Sequence, residues 1–271
     1  MASPSRALRS IIDPCSGSSH QDKLDAMLLL ATFDGDLAQV KNLLSLGANP
    51  ESRHPGPGLP ELDGRALHIA AREDYPAIVE ALLVCCDPNA LDANKSTALM
   101  VAAFHHNDQV VSLLAPKTDH SLCGDDSLTA FQCAILQGNC STFDILLPYE
   151  SENPARSSAG HTALMSAACE GNLEFAERLL AINDPLAHSL RGSTALMEAA
   201  MRGDVEMVEL LAPHSNFDAV NLDGETAEMV ARSHGESSLG RFIAALKLSR
   251  DERMALSSLT PRQAPSKKSR L

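Results

Sequence analysis

The chain has 271 residues, of which 44% are hydrophobic but only 3% aromatic, and it contains no tryptophan. A core must therefore be built from Leu, Ala, Val and Met, which excludes large pockets lined by aromatic side chains and favours thin helical layers that meet through alanine. The chain has 22 basic and 35 acidic residues, and residues 20–246 contain 13 of the basic and 32 of the acidic ones. This negative charge argues against nucleic-acid binding and favours a partner with a basic surface. Solubility alone would also explain the acidic excess.

The N-terminal residues 1–19 contain no apolar stretch of the length that a secretory signal needs. We expect them to form a disordered tail. No segment of the chain approaches the ~20 apolar residues of a membrane-spanning helix. The seven cysteines include no C-x-x-C pair, a pattern typical of free thiols in a reducing compartment. The sequence therefore predicts a cytoplasmic protein without a membrane segment.

A short pattern recurs along the chain with a period of 32 or 33 residues. Each copy has a Thr, or once an Arg, followed by Ala and in most copies by a large apolar residue. The copies are Arg65-Ala66-Leu67, Thr97-Ala98-Leu99, Thr129-Ala130-Phe131, Thr162-Ala163-Leu164, Thr194-Ala195-Leu196 and Thr226-Ala227-Glu228. Such a period indicates a stack of similar two-helix units, each too small to bury its apolar face alone.

Other columns of the same alignment place the two helices of each unit. The Thr is positioned to cap a first helix, and a small pair such as Ala70-Ala71 lets neighbouring helices approach closely. Nine residues after the Thr comes a position suited to the left-handed end of that helix. Its occupants are Asp74, His106, Gly138, Gly171, Gly203 and Gly235, with Gly35 in an earlier copy. A leucine-rich second helix follows, and Pro116, Pro148 and Pro213 are expected to end three of these helices.

These columns resemble the ankyrin repeat. The closest segments are Asp63-Gly64-Arg65-Ala66-Leu67-His68-Ile69-Ala70-Ala71, Gly160-His161-Thr162-Ala163-Leu164-Met165 and Gly192-Ser193-Thr194-Ala195-Leu196-Met197. The resemblance implies an all-α solenoid of seven stacked antiparallel helix pairs joined by short β-turn loops. It also implies that His68 braces a turn by hydrogen bonding, whereas the other repeats have Met or Gln at this position. Ser127 replaces a turn glycine and predicts an irregular third repeat.

The repeat array is expected to span residues 20–248. Its parts are an N-terminal cap at 20–51, an insertion at 52–62, repeats at 63–223 and a C-terminal cap at 224–248. The insertion is rich in Pro and Gly and cannot continue a helix; it is either a binding finger or a tolerated surface loop. Residues 249–271 are expected to form a basic, mostly disordered tail.

The resemblance also gives candidate partner-binding residues, because in ankyrin arrays the two residues after the small pair face a concave groove. They are Phe33, Arg72, Glu73, Phe104, His105, Leu136, Gln137, Cys169, Glu170, Met201 and Arg202. The large apolar members would form a strip with a polar rim, as at the centre of an interface. Alternatively, overhanging loops cover these side chains and make them ordinary core.

No catalytic or cofactor motif is recognisable in the sequence. It has no glycine-rich phosphate loop, no H-E-x-x-H and no G-x-S-x-G. Cys85 and Cys86 are adjacent and cannot share a metal in the C-x-x-C manner, so we expect buried, inert thiols. His105 and His106 lack a second pair of ligands at matching spacing. We therefore expect no enzyme, no cofactor and no metal, with an enzyme of unrecognised site as a third alternative.

The sequence as a whole predicts a monomeric protein-binding adaptor or scaffold that uses its groove and loop tips. The alternative is an inhibitor or regulatory subunit that occludes a basic surface of a partner enzyme. The last three residues, Ser269-Arg270-Leu271, resemble a peroxisomal address, which would direct the chain to peroxisomes if its source has them. A chance match, a weak nuclear address in the Lys/Arg cluster, and a tail that folds back on the acidic body are the other interpretations.

Overall fold

The computed structural model describes residues 19–52, 64–152 and 154–259, without the side chains of residues 152 and 253–259. Residues 1–18 of the predicted N-terminal tail, most of the insertion at 52–62 and the Ser269-Arg270-Leu271 tripeptide lie outside the described residues. The chain forms two units, of which the first ends at Asn183 and the second begins at Asp184.

Throughout the described ranges, the regular secondary structure is helical and consists of seven consecutive helix pairs. The first unit contains α1 (His20–Phe33), α2 (Leu37–Ser45), α3 (Ala66–Arg72), α4 (Pro76–Leu82), α5 (Ala98–Phe104), α6 (Asp108–Leu114), α7 (Ala130–Leu136), α8 (Cys140–Glu152), α9 (Ala163–Glu170) and α10 (Leu173–Leu179). The second unit contains α11 (Ala195–Arg202), α12 (Val205–Leu211), α13 (Ala227–Ser233) and α14 (Ser237–Leu259). Within each unit, the odd-numbered first helices pack against one another. The predicted all-α stack of helix pairs is confirmed.

The Thr column caps the first helices as predicted. In five repeats the Thr hydroxyl accepts the backbone N–H of the third residue after it, at 3.3–3.4 Å. Ser19 accepts the N–H of Asp22 in the same way at the start of α1. Arg65, which replaces the Thr before α3, makes no side-chain cap. Each such cap stabilises a short helix by about 1 kcal/mol.

In every repeat, the residue that follows the C-terminal end of the first helix has a left-handed backbone conformation. Its φ is 74° at Gly35, 57° at Asp74, 63° at His106, 65° at Gly138, 73° at Gly171, 82° at Gly203 and 90° at Gly235. The prediction for the two non-glycine positions is therefore confirmed. At Gly35 space adds a second constraint, because a Cβ atom would lie 2.9 Å from Cζ of Tyr75.

A tight turn, here called a finger, directly precedes each of the five Thr residues. In each finger the N–H of the first residue donates to the C=O of the fifth, at 2.9–3.1 Å. The fingers are residues 92–96, 124–128 and 157–161 in the first unit and 189–193 and 221–225 in the second. The predicted irregularity at Ser127 is wrong, because its φ of 71° is close to the 79° of Gly160 in the next finger. The N–H of Ser127 is held by the C=O of Gly124 at 3.0 Å.

Two side chains join a repeat to the finger of the next one. Nε2 of His68 lies 3.0 Å from the carbonyl oxygen of Ser96, which requires the N–H on this nitrogen. Burial lowers the pKa of His68, so the ring is neutral at neutral pH. Gln132, at the equivalent position two repeats later, donates from Nε2 to the carbonyl oxygen of His161 at 2.9 Å. The bracing role implied for His68 is therefore shared by Gln132, which the sequence analysis did not recognise.

An aromatic cluster lies under the middle of the first unit. The ring of Phe143 stacks on that of Phe175 at 4.2 Å between centroids and an angle of 5°. Phe131 packs against Phe143 at 4.9 Å, and the guanidinium of Arg178 lies 4.6 Å above the Phe143 ring. Arg178 also forms an ion pair with Asp144. Phe143 therefore contacts both Phe131 of its own repeat and Phe175 of the next, so its ring joins two neighbouring repeats.

Helix α8 continues through Pro148 to Glu152, so the predicted end at this proline is wrong. The residues just beyond the proline are held by tertiary contacts. The ring of Tyr149 stacks on His120 at 4.5 Å. The buried carboxylate of Glu150 accepts the N–H of Ala155 at 3.2 Å and an N–H of Asn183 at 3.4 Å. Pro116 and Pro213 do follow their helices, in short 3-10 turns at Ala115–Lys117 and Ala212–His214.

Helix α14 runs to Leu259, so the predicted boundary at 248 falls inside a helix. Side chains on both sides of this boundary contact the loop that follows α12. Lys247 forms an ion pair with Asp218. The guanidinium of Arg250 donates to the carbonyl oxygen of Ser215 and lies 5.6 Å from the ring of Phe217. These contacts extend the helix into what the sequence suggested was tail.

We expect Phe143→Ala to lower the free energy of unfolding by about 3–5 kcal/mol, because it empties a fully buried aromatic site. Urea unfolding of the full chain, followed by circular dichroism, measures the change. Phe104→Ala is the matched control, since Phe104 is 43% exposed and its truncation should cost less than about 1 kcal/mol. Equal losses for the two variants would contradict the structure.

We expect Glu150→Gln to change how stability depends on pH. Burial raises the pKa of Glu150 to about 7, above the value of about 4.3 in an unfolded chain. The native state therefore holds this proton more tightly, and wild-type stability should fall as the pH rises between about 4.5 and 7. Gln keeps one of the two acceptor oxygens and carries no charge. Above about pH 7 the variant should be more stable, by at most about 4 kcal/mol. Urea unfolding across this range tests the effect, and a pH-independent difference would contradict it.

Candidate functional site

The predicted site residues lie at the C-terminal ends of the first helices. In the first unit, Phe33, Arg72, Phe104 and Leu136 are the last residues of α1, α3, α5 and α7, and Cys169 and Glu170 end α9. In the second unit, Met201 and Arg202 end α11. Because consecutive first helices pack side by side within each unit, their ends follow one another along one face. We call the face of the first unit the groove face.

Three of the four large apolar side chains are open to solvent. Phe104 is 43% exposed and Leu136 is 40% exposed, and they end neighbouring helices of the groove face. Met201, in the second unit, is 39% exposed. Loops therefore do not bury these three residues, whereas Phe33 is half-buried. The first unit thus presents an apolar pair of side chains on adjacent repeats.

Polar groups surround this apolar pair. Nε of Arg72 donates to Oε1 of Glu73 at 3.0 Å. The ring of His105 packs edge-on against that of Phe104, with 5.4 Å between centroids. Burial, and then the nearby charge of Arg72, lower the pKa of His105, so the imidazole is neutral at neutral pH. Gln137, Cys169 and Glu170 are half-buried along the same face.

A cavity of about 140 Å³ opens beside Phe104. It lies between finger 92–96, helix α5 and finger 124–128. The lining residues are Asp92, Asn94, Ser96, Met100, Val101, Phe104, His105, Asp126 and Cys133. Two of these residues, Phe104 and His105, were predicted from the sequence. The adjacent carboxylates in finger 124–128 are the sequence feature from which acidic residues in the cavity lining could have been predicted.

The Cys85-Cys86 pair contradicts the expectation of buried thiols. Helix α4 ends at Leu82, before the pair, so that Cys85 is exposed and Cys86 is half-buried. Burial, and then the neighbouring Cys85, raise the pKa of the Cys86 thiol. Cys133 on α7 is buried instead, and its burial raises the pKa of this thiol to about 12.

Neither a metal site nor a membrane span is found in the part of the chain that the structure describes. No three His, Cys, Asp or Glu side chains there come close enough together to hold a metal ion. His105 and His106 are both exposed at the end of α5 and belong to no such group. No helix among the described residues combines the length and apolar character needed to cross a membrane.

The chain is similar to known proteins in both sequence and structure. Residues 28–123, 107–186 and 164–248 match the family model described as ankyrin repeats (3 copies). The structure is similar to that of the ankyrin repeat domain of Bcl-3, described as a unique member of the IkappaB protein family. The identity is 25% and the TM-score 0.66, over 83% of this chain and 99% of that one. The human ASB11 ankyrin repeat domain, 22% identical with a TM-score of 0.64 over 81% and 96% of the two chains, shares the fold.

We expect alkylation of the native chain to separate its thiols. Iodoacetamide at about pH 8 should modify Cys85 and Cys140 first, because accessible thiols supply the reacting thiolate. Cys133 is 3% exposed and should stay protected until the chain unfolds. Peptide mapping by mass spectrometry measures each rate, with the urea-unfolded chain as the control. Labelling of Cys133 at the rate of Cys140 in the native chain would contradict this assignment.

Proposed function

The chain belongs to the ankyrin-repeat family, and we propose that it is an adaptor or scaffold that binds a partner protein through its groove face. The family is generally a non-enzymatic protein-interaction fold. The observation that carries the proposal is the pair Phe104 and Leu136, large apolar side chains 43% and 40% exposed on adjacent repeats. Solvent-exposed apolar side chains within a polar rim are typical of an interface centre.

The arrangement of the groove face favours binding in two ways. Phe104 and Leu136 are each the last residue of a capped helix, so their backbone is already ordered before a partner arrives. Little conformational entropy is then lost on docking, and more of the contact energy appears as affinity. The ion-paired Arg72 and Glu73 and the neutral His105 would form the polar rim. Met201 and Arg202 are proposed for the same role in the second unit.

A second candidate is an inhibitor or regulatory subunit that covers a basic surface of an enzyme. The excess of acidic residues within residues 20–246 supports a partner of positive charge. The same charge would disfavour binding to nucleic acid. Binding of this kind weakens steeply as salt is added, whereas a mainly apolar groove contact responds little. Salt dependence of binding, together with loss of the partner's enzymatic activity, would distinguish the inhibitor from the adaptor.

The chain is proposed to act as a monomer in the cytoplasm. The sequence supports the compartment through seven cysteines that include no C-x-x-C pair, and Cys85 and Cys140 are exposed. The peroxisomal alternative depends on Ser269-Arg270-Leu271, which lies outside the described residues. Fusion of the last residues of the chain to a fluorescent protein would decide between the two compartments.

We expect the double substitution Phe104→Ala and Leu136→Ala to weaken partner binding at least about tenfold, because it removes both apolar anchors. The partner is first captured with the full chain, then purified, and its dissociation constant is measured by isothermal titration calorimetry. Leu46→Ala is the matched control, since Leu46 is 59% exposed on the turn after α2. Unchanged binding by a folded double variant would exclude the groove face.

A further inference from the structure

The cavity beside Phe104 combines an apolar floor with an acidic wall. Met100, Val101 and Phe104 of α5 form the floor, and Asp92 and Asp126 come from two successive fingers. Its volume of about 140 Å³ is below the ~300–1,000 Å³ of pockets that enclose a small-molecule ligand. A cavity of this size suits one long side chain of a larger partner.

The two carboxylates are held in place by backbone groups. Oδ1 of Asp92 accepts the N–H groups of Asn94 at 2.9 Å and Ser96 at 2.8 Å. Oδ1 of Asp126 accepts the N–H of Leu128 at 3.1 Å. A Cβ atom on Gly124 would lie 2.8 Å from Oδ1 of Asp126 and 3.2 Å from Oγ of Ser96, so the Asp126 carboxylate lies where the two fingers meet.

The lining of the cavity is acidic, because it includes two aspartates and no Lys or Arg. His105 contributes no positive charge, because burial and Arg72 lower the pKa of its ring. Arg72 itself is paired with Glu73 at 3.0 Å. Lys95, in the first finger, forms an ion pair with Asp125 at 2.7 Å, and Asp126 takes part in no ion pair among the described residues.

We propose that this cavity receives a single lysine or arginine side chain from the partner protein. The methylene groups would lie on Met100, Val101 and the exposed ring of Phe104, and the cationic end would meet the carboxylate of Asp126. Long cationic side chains commonly bury their stems on apolar surface while the charged end stays at a polar edge. A cation above an aromatic ring gains further stabilisation.

Other ligand classes fit the cavity less well. An anion is disfavoured by the two carboxylates. A metal ion would need several convergent ligands, and no group of three His, Cys, Asp or Glu side chains forms among the described residues. A purely apolar side chain would leave the Asp126 carboxylate without an ionic partner and would gain nothing from the acidic wall. The inference rests on the proposed function, because it specifies the chemistry that the groove face recognises.

A random peptide library displayed on phage and selected on the full chain provides the test. The probes are the enriched peptides, synthesised and titrated calorimetrically into wild type, Asp126→Asn, Glu80→Gln and the double variant Phe104→Ala with Leu136→Ala. Glu80 is exposed on α4 and does not line the cavity, so Glu80→Gln matches the change in net charge. Asn at 126 keeps an oxygen that accepts the Leu128 N–H, and the circular dichroism spectrum checks that the variant folds.

The expected result is that the peptides share one basic residue and bind Asp126→Asn at least about tenfold more weakly, with Glu80→Gln unchanged. Replacing that basic residue by its uncharged analogue, citrulline for arginine or norleucine for lysine, should weaken binding to the wild type by the same factor. The same replacement should not weaken binding to Asp126→Asn any further.

Two results would overturn the proposal, and they separate it from the proposed function. In the first, the peptides need Phe104 and Leu136 but bind equally well with an uncharged analogue or to Asp126→Asn; this would exclude the cation-binding cavity and leave the groove face as the binding surface. In the second, no selected peptide depends on Phe104 and Leu136; this would exclude both the cavity and the groove face.

Discussion

The close approach of neighbouring first helices is the constraint on which the rest of the structure depends. Ala70 and Ala71 on α3 and Ala102 and Ala103 on α5 are completely buried between these helices. A larger side chain at these positions would force the helices apart, and such overpacking costs about 1–3 kcal/mol. The spacing that alanine sets also determines where the helix ends and the fingers lie. The groove face and its cavity therefore depend on residues that never contact a partner.

Features that depend on neighbours in sequence could be predicted well. The Thr caps involve residues three positions apart, and the left-handed helix ends at Asp74 and His106 depend on the local conformational preference of Asp and His. Features that depend on tertiary contacts could not. Ser127 adopts the conformation expected of glycine because backbone hydrogen bonds hold its finger. Helix α8 passes through Pro148 because Tyr149 and Glu150 are anchored outside it.

The candidate site also contains features that could be predicted from the sequence and features that could not. The apolar residues of the groove face could be located because each follows the same small pair in its repeat. The cavity could not, since Phe104 and Asp126 belong to different repeats and meet only when these stack. Gln132 could not be predicted for a different reason. Its amide binds a finger carbonyl from the position in its repeat that the His68 imidazole has in another repeat, and the chemical difference between the two side chains concealed this common role.

The fingers of the first unit are also joined to one another through the backbone. The N–H of Asp125 donates to the C=O of Asn94 at 2.8 Å, and the N–H of Ser158 donates to the C=O of Ser127 at 3.1 Å. Main-chain groups are the same for every amino acid other than proline, so most substitutions at the finger tips leave these bonds intact. During evolution the tips are therefore free to acquire new side chains, and with them new specificities, while the display geometry is inherited unchanged.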